Sequence, residues 1–125
     1  MRVLIDNSDR GKIVFYYKPG AKWLRLVLAD GEGGLPGAFN VFLKKTKKSM
    51  SEIEGVAALL GKGSFTAARL LTTFVNTISF ALKIPVVGVR EADLAGLDNI
   101  FKSAKTGKLV HPEYTGEANV GKTKK

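Results

Sequence analysis

The sequence contains no cysteine, so neither a disulfide nor a thiolate metal site can form within it. It has one histidine, His111, which rules out a two-histidine metal site built by a single chain. Pro112 and Glu113 follow His111 and place it in a loop, so no histidine-activated nucleophile is expected either. No separated pair of carboxylates stands out for general acid–base work. Asp6 and Asp9 share one turn, where two acids far more often cap or face solvent than hold a metal ion. No stretch reaches the ~18 uninterrupted apolar residues of a membrane span. Arg2 and Asp6 break up the start, so no secretory leader and no membrane partner are expected, and the default location is cytoplasmic. Acidic residues are scarce too: 11 stand against 20 Lys and Arg, a net charge of +9.

What is present is an ordinary globular composition, 45% apolar and 25% charged over 125 residues, the size of one domain. Part of the excess charge sits in two runs, Lys44-Lys45-Thr46-Lys47-Lys48 and residues 121–125. Such runs attract polyanions by counterion release, or simply keep a protein soluble. No aromatic residue interleaves with them, so a stacking platform for single strands is not indicated.

Three short runs of strand formers, residues 2–5, 12–17 and 23–28, are separated by the turn signals DNSDRG and KPGAK, which predicts an antiparallel meander. After a glycine-rich connection, Leu35, Ala38, Phe39, Phe42 and Leu43 recur at helical spacing, with lysines at the C-terminal end. Residues 55–60, GVAALL, form a continuous apolar run that suits a strand buried on both faces. A long helix over residues 64–82, a second buried strand over 84–89 and a helix over about 91–105 complete the order βββαβαβα. That order implies an α/β fold with a mixed sheet and helices packed on its faces. A single lobe over residues 1–105 and a basic tail over 106–125 are expected.

The long helix, SFTAARLLTTFVNTISFAL, has one charged residue, Arg69. Its periodicity puts Ala67, Leu70, Leu71, Phe74, Val75, Ile78, Ala81 and Leu82 on a face that should cover the sheet. The other side carries Phe65, Arg69, Thr72, Thr73, Asn76 and Phe80 where a surface helix would carry Lys and Glu. Hydroxyls flanked by phenylalanines suggest a surface that meets another protein. Burying ~400 Å² of such a face would gain ~10 kcal/mol gross, against association costs of ~4–15 kcal/mol. A second element should therefore join it, and the helix bearing Phe39 and Phe42 is its neighbour.

Two glycine turns invite comparison with phosphate-binding loops. Residues 116–123, GEANVGKT, fit G-x-x-x-x-G-K-[ST] letter for letter. Pro112 interrupts any preceding strand and only two residues follow Thr123, so no strand–loop–helix unit can form and the match is read as accidental. Residues 60–66, LGKGSFT, do lie between a strand and a helix, but Gly63 stands where Ser or Thr is required. Ser64 is well placed there as an N-cap.

With its following helix and strand, this second turn, GKGSFTAARLLTTFVNTISFALKIPVVGV, resembles the GPGSFTG-[LVI]-R signature of the TsaB (YeaZ) family. The opening VLIDNSDRGKIVFYY is similar to that family's first strand and Asp-Thr-Ser turn. The resemblance covers residues 1–89, with Lys62 for proline, Ala67 for glycine and Asn7 for threonine as departures. It identifies Gly61, Gly63, Ser64, Phe65, Thr66 and Arg69 as the signature turn. It implies one lobe of an actin-like, ribonuclease-H-like architecture, with no second lobe in these residues to close on nucleotide.

The resemblance further implies a non-catalytic subunit, without cofactor, in synthesis of N6-threonylcarbamoyladenosine in tRNA. Two helices would dock on a TsaD-like protein or on a second copy, with Phe39, Phe42, Phe65, Arg69, Thr72, Thr73, Asn76 and Phe80 in the contact. Lys44, Lys45, Lys47 and Lys48 would lie near tRNA. A stand-alone homodimeric interaction protein and a basic RNA-binding module are the alternatives.

Overall fold

The computed structural model describes residues 1–31 and 33–111. Strands β1 (Arg2–Asp6), β2 (Lys12–Lys18) and β3 (Leu24–Ala29) form the meander. They are followed by α1 (Gly34–Thr46), β4 (Gly55–Leu59), α2 (Phe65–Leu82), β5 (Val86–Val89) and α3 (Leu97–Ser103), the expected order. The five-stranded sheet runs β3-β2-β1-β4-β5, with β1, β2 and β3 antiparallel and β4 and β5 parallel to β1.

Burial follows from strand alternation. Val3, Ile5, Ile13, Phe15, Val56 and Ala58 point to one side of the sheet, where α1 and α2 cover them. Leu4, Ala57 and Leu59 point to the other, against Leu97 and Phe101 of α3. Every residue of β4 is buried, as its unbroken apolar run predicts. Phe101 packs so tightly on Gly55 that a Cβ there would lie 3.0 Å from its ring.

The α2 helix is rotated about its axis relative to the periodicity reading. Ala68, Leu71, Thr72, Val75, Ile78 and Ser79 face the sheet, whereas Leu70 is 57% exposed and Ala81 is exposed. Thr72 and Ser79 tolerate burial because their hydroxyls donate to the Arg69 and Ile84 carbonyls at 3.1 and 2.6 Å. By length and composition α2 would fit a bilayer, yet here it packs on the sheet.

The ordered fold also runs past residue 105. Asn76 donates to the Val110 carbonyl and accepts from the Val110 N–H, both at 2.9 Å. This side-chain amide imitates a strand partner and seats Val110 in the core. Residues expected to begin a tail thus complete the flank of α2.

Helices α1 and α2 both end on a left-handed residue, the position usually given to glycine. Here they are Lys47 (φ 59°) and Lys83 (φ 57°). A side chain in that conformation costs about 1 kcal/mol or more relative to glycine.

On the α3 face, Asp98 gathers three groups from the meander. Lys18 Nζ lies 2.8 Å away, Trp23 Nε1 donates at 3.3 Å, and Arg2 stands at 3.8 Å. The Lys18 hydrogen bond, aided by its charge and by Trp23 and Arg2, holds the Asp98 carboxyl below the ordinary 3.8. A depressed carboxyl stabilises the fold above its unfolded value, and that contribution is lost as pH falls through the folded one. Asp98→Asn should therefore lower stability at neutral pH by less than about 1 kcal/mol, because the group is half exposed. Melting followed by circular dichroism should show wild type and variant converging below pH ~3.8.

Candidate functional site

The two helices on the α1/α2 side leave a groove between them of about 950 Å³. From α1 it is lined by Leu35, Pro36, Phe39 and Asn40, and from α2 by Phe65, Arg69, Leu70, Thr73, Phe74 and Thr77, with Met50 at one lip. Its floor is apolar because Phe39 packs edge-on against Phe74 at 5.4 Å. Phe65 is 51% exposed and carries the Arg69 guanidinium over its ring at 5.4 Å. One helical turn beyond the groove, Phe80 is 85% exposed. Thr66, Thr73 and Thr77 form the outer ridge, and none of them brings a charge. An exposed apolar surface of this kind marks an interaction site more often than a solvated face.

The expected contact residues divide into two groups. Phe65, Arg69, Thr73 and Phe80 are exposed on the outer face of α2. Phe42 is not available to a partner: it is fully buried and stacks on Phe15 with ring centroids 4.5 Å apart. Phe39, 2% exposed, is the groove floor rather than a projecting contact. Thr72 faces the sheet, and Asn76 is occupied by Val110. Periodicity put Leu70 on the face covering the sheet, whereas it stands 57% exposed at the groove. The available signal was Thr72, whose hydroxyl can be satisfied within its own helix and so need not face water.

The signature turn closes the top of α2. Gly61 (φ 85°) and Gly63 (φ 84°) are left-handed, and the Ser64 hydroxyl accepts from the Ala67 N–H at 3.0 Å, as its position predicts. The turn is wedged against the β1–β2 loop, where Asn7 Nδ2 donates to the Ala67 carbonyl at 3.4 Å. Beside it lies a polar hollow of about 510 Å³ lined by Asn7, Ser8, Asp9, Arg10, Ser64 and Thr66. Asp6 accepts from the Ser8 N–H at 2.9 Å and hydroxyl at 2.5 Å, and Asp9 pairs with Lys12 at 3.4 Å. Both acids are thus tied into the loop. Lys62, where the resembled signature has proline, pairs with Glu91 at 3.1 Å.

Lys44, Lys45 and Lys47 are exposed at the end of α1, while Lys48 pairs with Glu52 at 3.6 Å. His111 is exposed. The motif at 116–123 and the lysines of 121–125 lie outside the described residues.

No family model matches the chain, and no curated protein matches it. Solved structures do. YeaZ from Pseudomonas aeruginosa superposes with a TM-score of 0.58 at 22% identity, covering 71% of this chain and 44% of that one. An uncharacterized protein described as similar to peptidase YeaZ from Pseudomonas aeruginosa gives a TM-score of 0.61 at 17% identity, covering 82% of this chain and 48% of that one. This chain therefore has a mixed α/β fold similar to that of YeaZ and spans about half the length of the structures it matches.

Proposed function

We propose that this protein is a binding subunit, without catalytic groups of its own, in the synthesis of N6-threonylcarbamoyladenosine in tRNA. It works by docking the α1/α2 groove on a TsaD-like protein. The observation that carries this reading is the outer face of α2, where Arg69 is the one charged residue and Phe65, Leu70 and Phe80 stand exposed beside an apolar groove. The YeaZ-like fold and the GKGSFT turn support it. This reading leaves the transfer step to the partner.

Co-expression with a TsaD-like protein from the same source, followed by affinity capture, tests the reading. Leu70→Glu and Phe80→Glu place a charge in the contact without touching the core. Each should weaken capture by about 2–3 kcal/mol, the scale of an interface hot spot. Thr73→Glu, between them on the ridge, should act likewise. Capture that survives all three substitutions refutes the proposed face. A protein that forms only a dimer of itself through the same residues supports the stand-alone alternative.

A further inference from the structure

The sheet topology collects much of the described residues' excess positive charge at one end. The pairing of Arg2 with both Lys18 and Gly55 puts the start of β1, the end of β2 and the start of β4 at the same edge. Lys22, in the turn joining β2 to β3, falls there too. Helix α1 closes there with Lys44, Lys45 and Lys47, before the chain enters β4. Helix α2 closes there with Lys83, before β5. Lys102 of α3 follows Phe101, which packs on the first residue of β4. These six lysines, three from the end of α1 and one each from the β2–β3 turn, the end of α2 and α3, are all exposed. Among the described residues none has an ion-pair partner, whereas Lys18, Arg2 and Lys48 nearby are held by Asp98 and Glu52.

The opposite end is balanced: Asp6, Asp9, Asp30, Glu91 and Asp93 offset Arg10, Lys12, Lys62 and Arg90. Lysine at a helix C-terminus has an ordinary explanation, since each helix end carries roughly half a negative charge. Three such ends amount to far less than six unit charges. The ordinary explanation is also weakest at Lys47 and Lys83, because both sit in a left-handed conformation that glycine would take without strain. Lysine in place of glycine at two strained caps favours a role for the charge itself.

We infer that this end binds the phosphate backbone of RNA. Neither the apolar groove nor the polar hollow is lined by any of the six lysines, so an extended polyanion fits better than an enclosed phosphate ligand. A membrane-surface helix would carry its lysines along one flank. Here they stand at the ends of several elements and span the width of the sheet. The choice of RNA among polyanions rests on the proposed role in tRNA modification, while the test needs no partner protein.

The test is fluorescence anisotropy of the full chain with unfractionated tRNA and with a short RNA duplex. If three to four phosphates are engaged, affinity should fall about 40- to 150-fold between about 50 and about 200 mM salt. The decisive variant is Lys47→Gly with Lys83→Gly. It should raise Tm, by relieving two strained caps, and at the same time reduce the slope of log affinity against log salt by about 1–2. Arg10→Glu, at the balanced end, should leave binding unchanged. The inference is overturned if wild type fails to bind RNA at about 50 mM salt. It is equally overturned if the double glycine variant binds as wild type does, or if the protein binds vesicles containing phosphatidylserine but not RNA.

Discussion

Phe42→Ala is expected to remove about 3–5 kcal/mol of stability, among the largest effects of any single substitution in this chain. The ring is fully buried and meets three others: Phe15 stacked at 4.5 Å, Tyr17 edge-on at 5.2 Å and Phe39 at 6.0 Å. Two of these belong to β2 and one to α1 itself, so the cluster fixes α1 on the sheet. Truncation leaves a hole that neither a strand nor a packed helix can collapse to fill. Urea unfolding followed by tryptophan fluorescence at Trp23 would measure the loss. It also separates two roles for this residue. If Phe42 contacted a partner, alanine would weaken capture while leaving the isolated protein as stable as before. A midpoint unchanged from wild type would contradict the buried cluster.

Gly63→Ala should cost at least about 2 kcal/mol, from two sources that act together. The backbone there has φ 84°, where a side chain alone is unfavourable by about 1–2 kcal/mol. An added Cβ would also come within 2.9 Å of Ser8 Cα and 3.1 Å of the Ser8 carbonyl oxygen, both backbone atoms that cannot rotate away. The β1–β2 loop would have to separate from the turn, stretching the Asn7–Ala67 hydrogen bond that is already 3.4 Å long. Hydrogen exchange should show the loss as faster opening of residues 6–9 and 61–67, with β4 less affected. By contrast, Gly20→Ala and Gly96→Ala meet open space at ordinary φ and should change stability little. If Gly63→Ala were as mild as those two, the wedge between turn and loop would not be what positions α2.

The same two glycine-dependent elements show how far the sequence could be read. The order of strands and helices was legible because each element carries its own period and its own punctuation: GKGS before α2, KPGAK between β2 and β3. The double burial of β4 was legible from a run with no polar residue at all. The rotation of α2 was not. A helix whose polar residues are mostly threonine, serine and asparagine offers periodicity little contrast, since Thr72 and Ser79 can hide by donating to backbone carbonyls, of Arg69 within the helix and of Ile84 just beyond it. Phe39 and Phe42 were placed on the correct helix, but their partners, Phe15 and Phe74, are remote in sequence. Asn76 was read as a surface amide because nothing in residues 106–111 announces that Val110 will need a hydrogen-bonding partner. Of the lysine-rich end only the run at Lys44, Lys45 and Lys47 was legible, for a related reason. Its members are scattered from residue 22 to residue 102 and meet only once the strand register is known.

The strained lysine caps of α1 and α2 have a kinetic corollary. A body whose surplus charge is gathered at one pole, with a neutralised opposite pole, has an electric dipole pointing along its strands. In the field of a polyanion it experiences a torque as well as an attraction, and it turns its lysine pole forward before the surfaces touch. Fewer encounters are then wasted in the wrong orientation, while the groove between α1 and α2, set on the side of the body, stays clear of the polyanion.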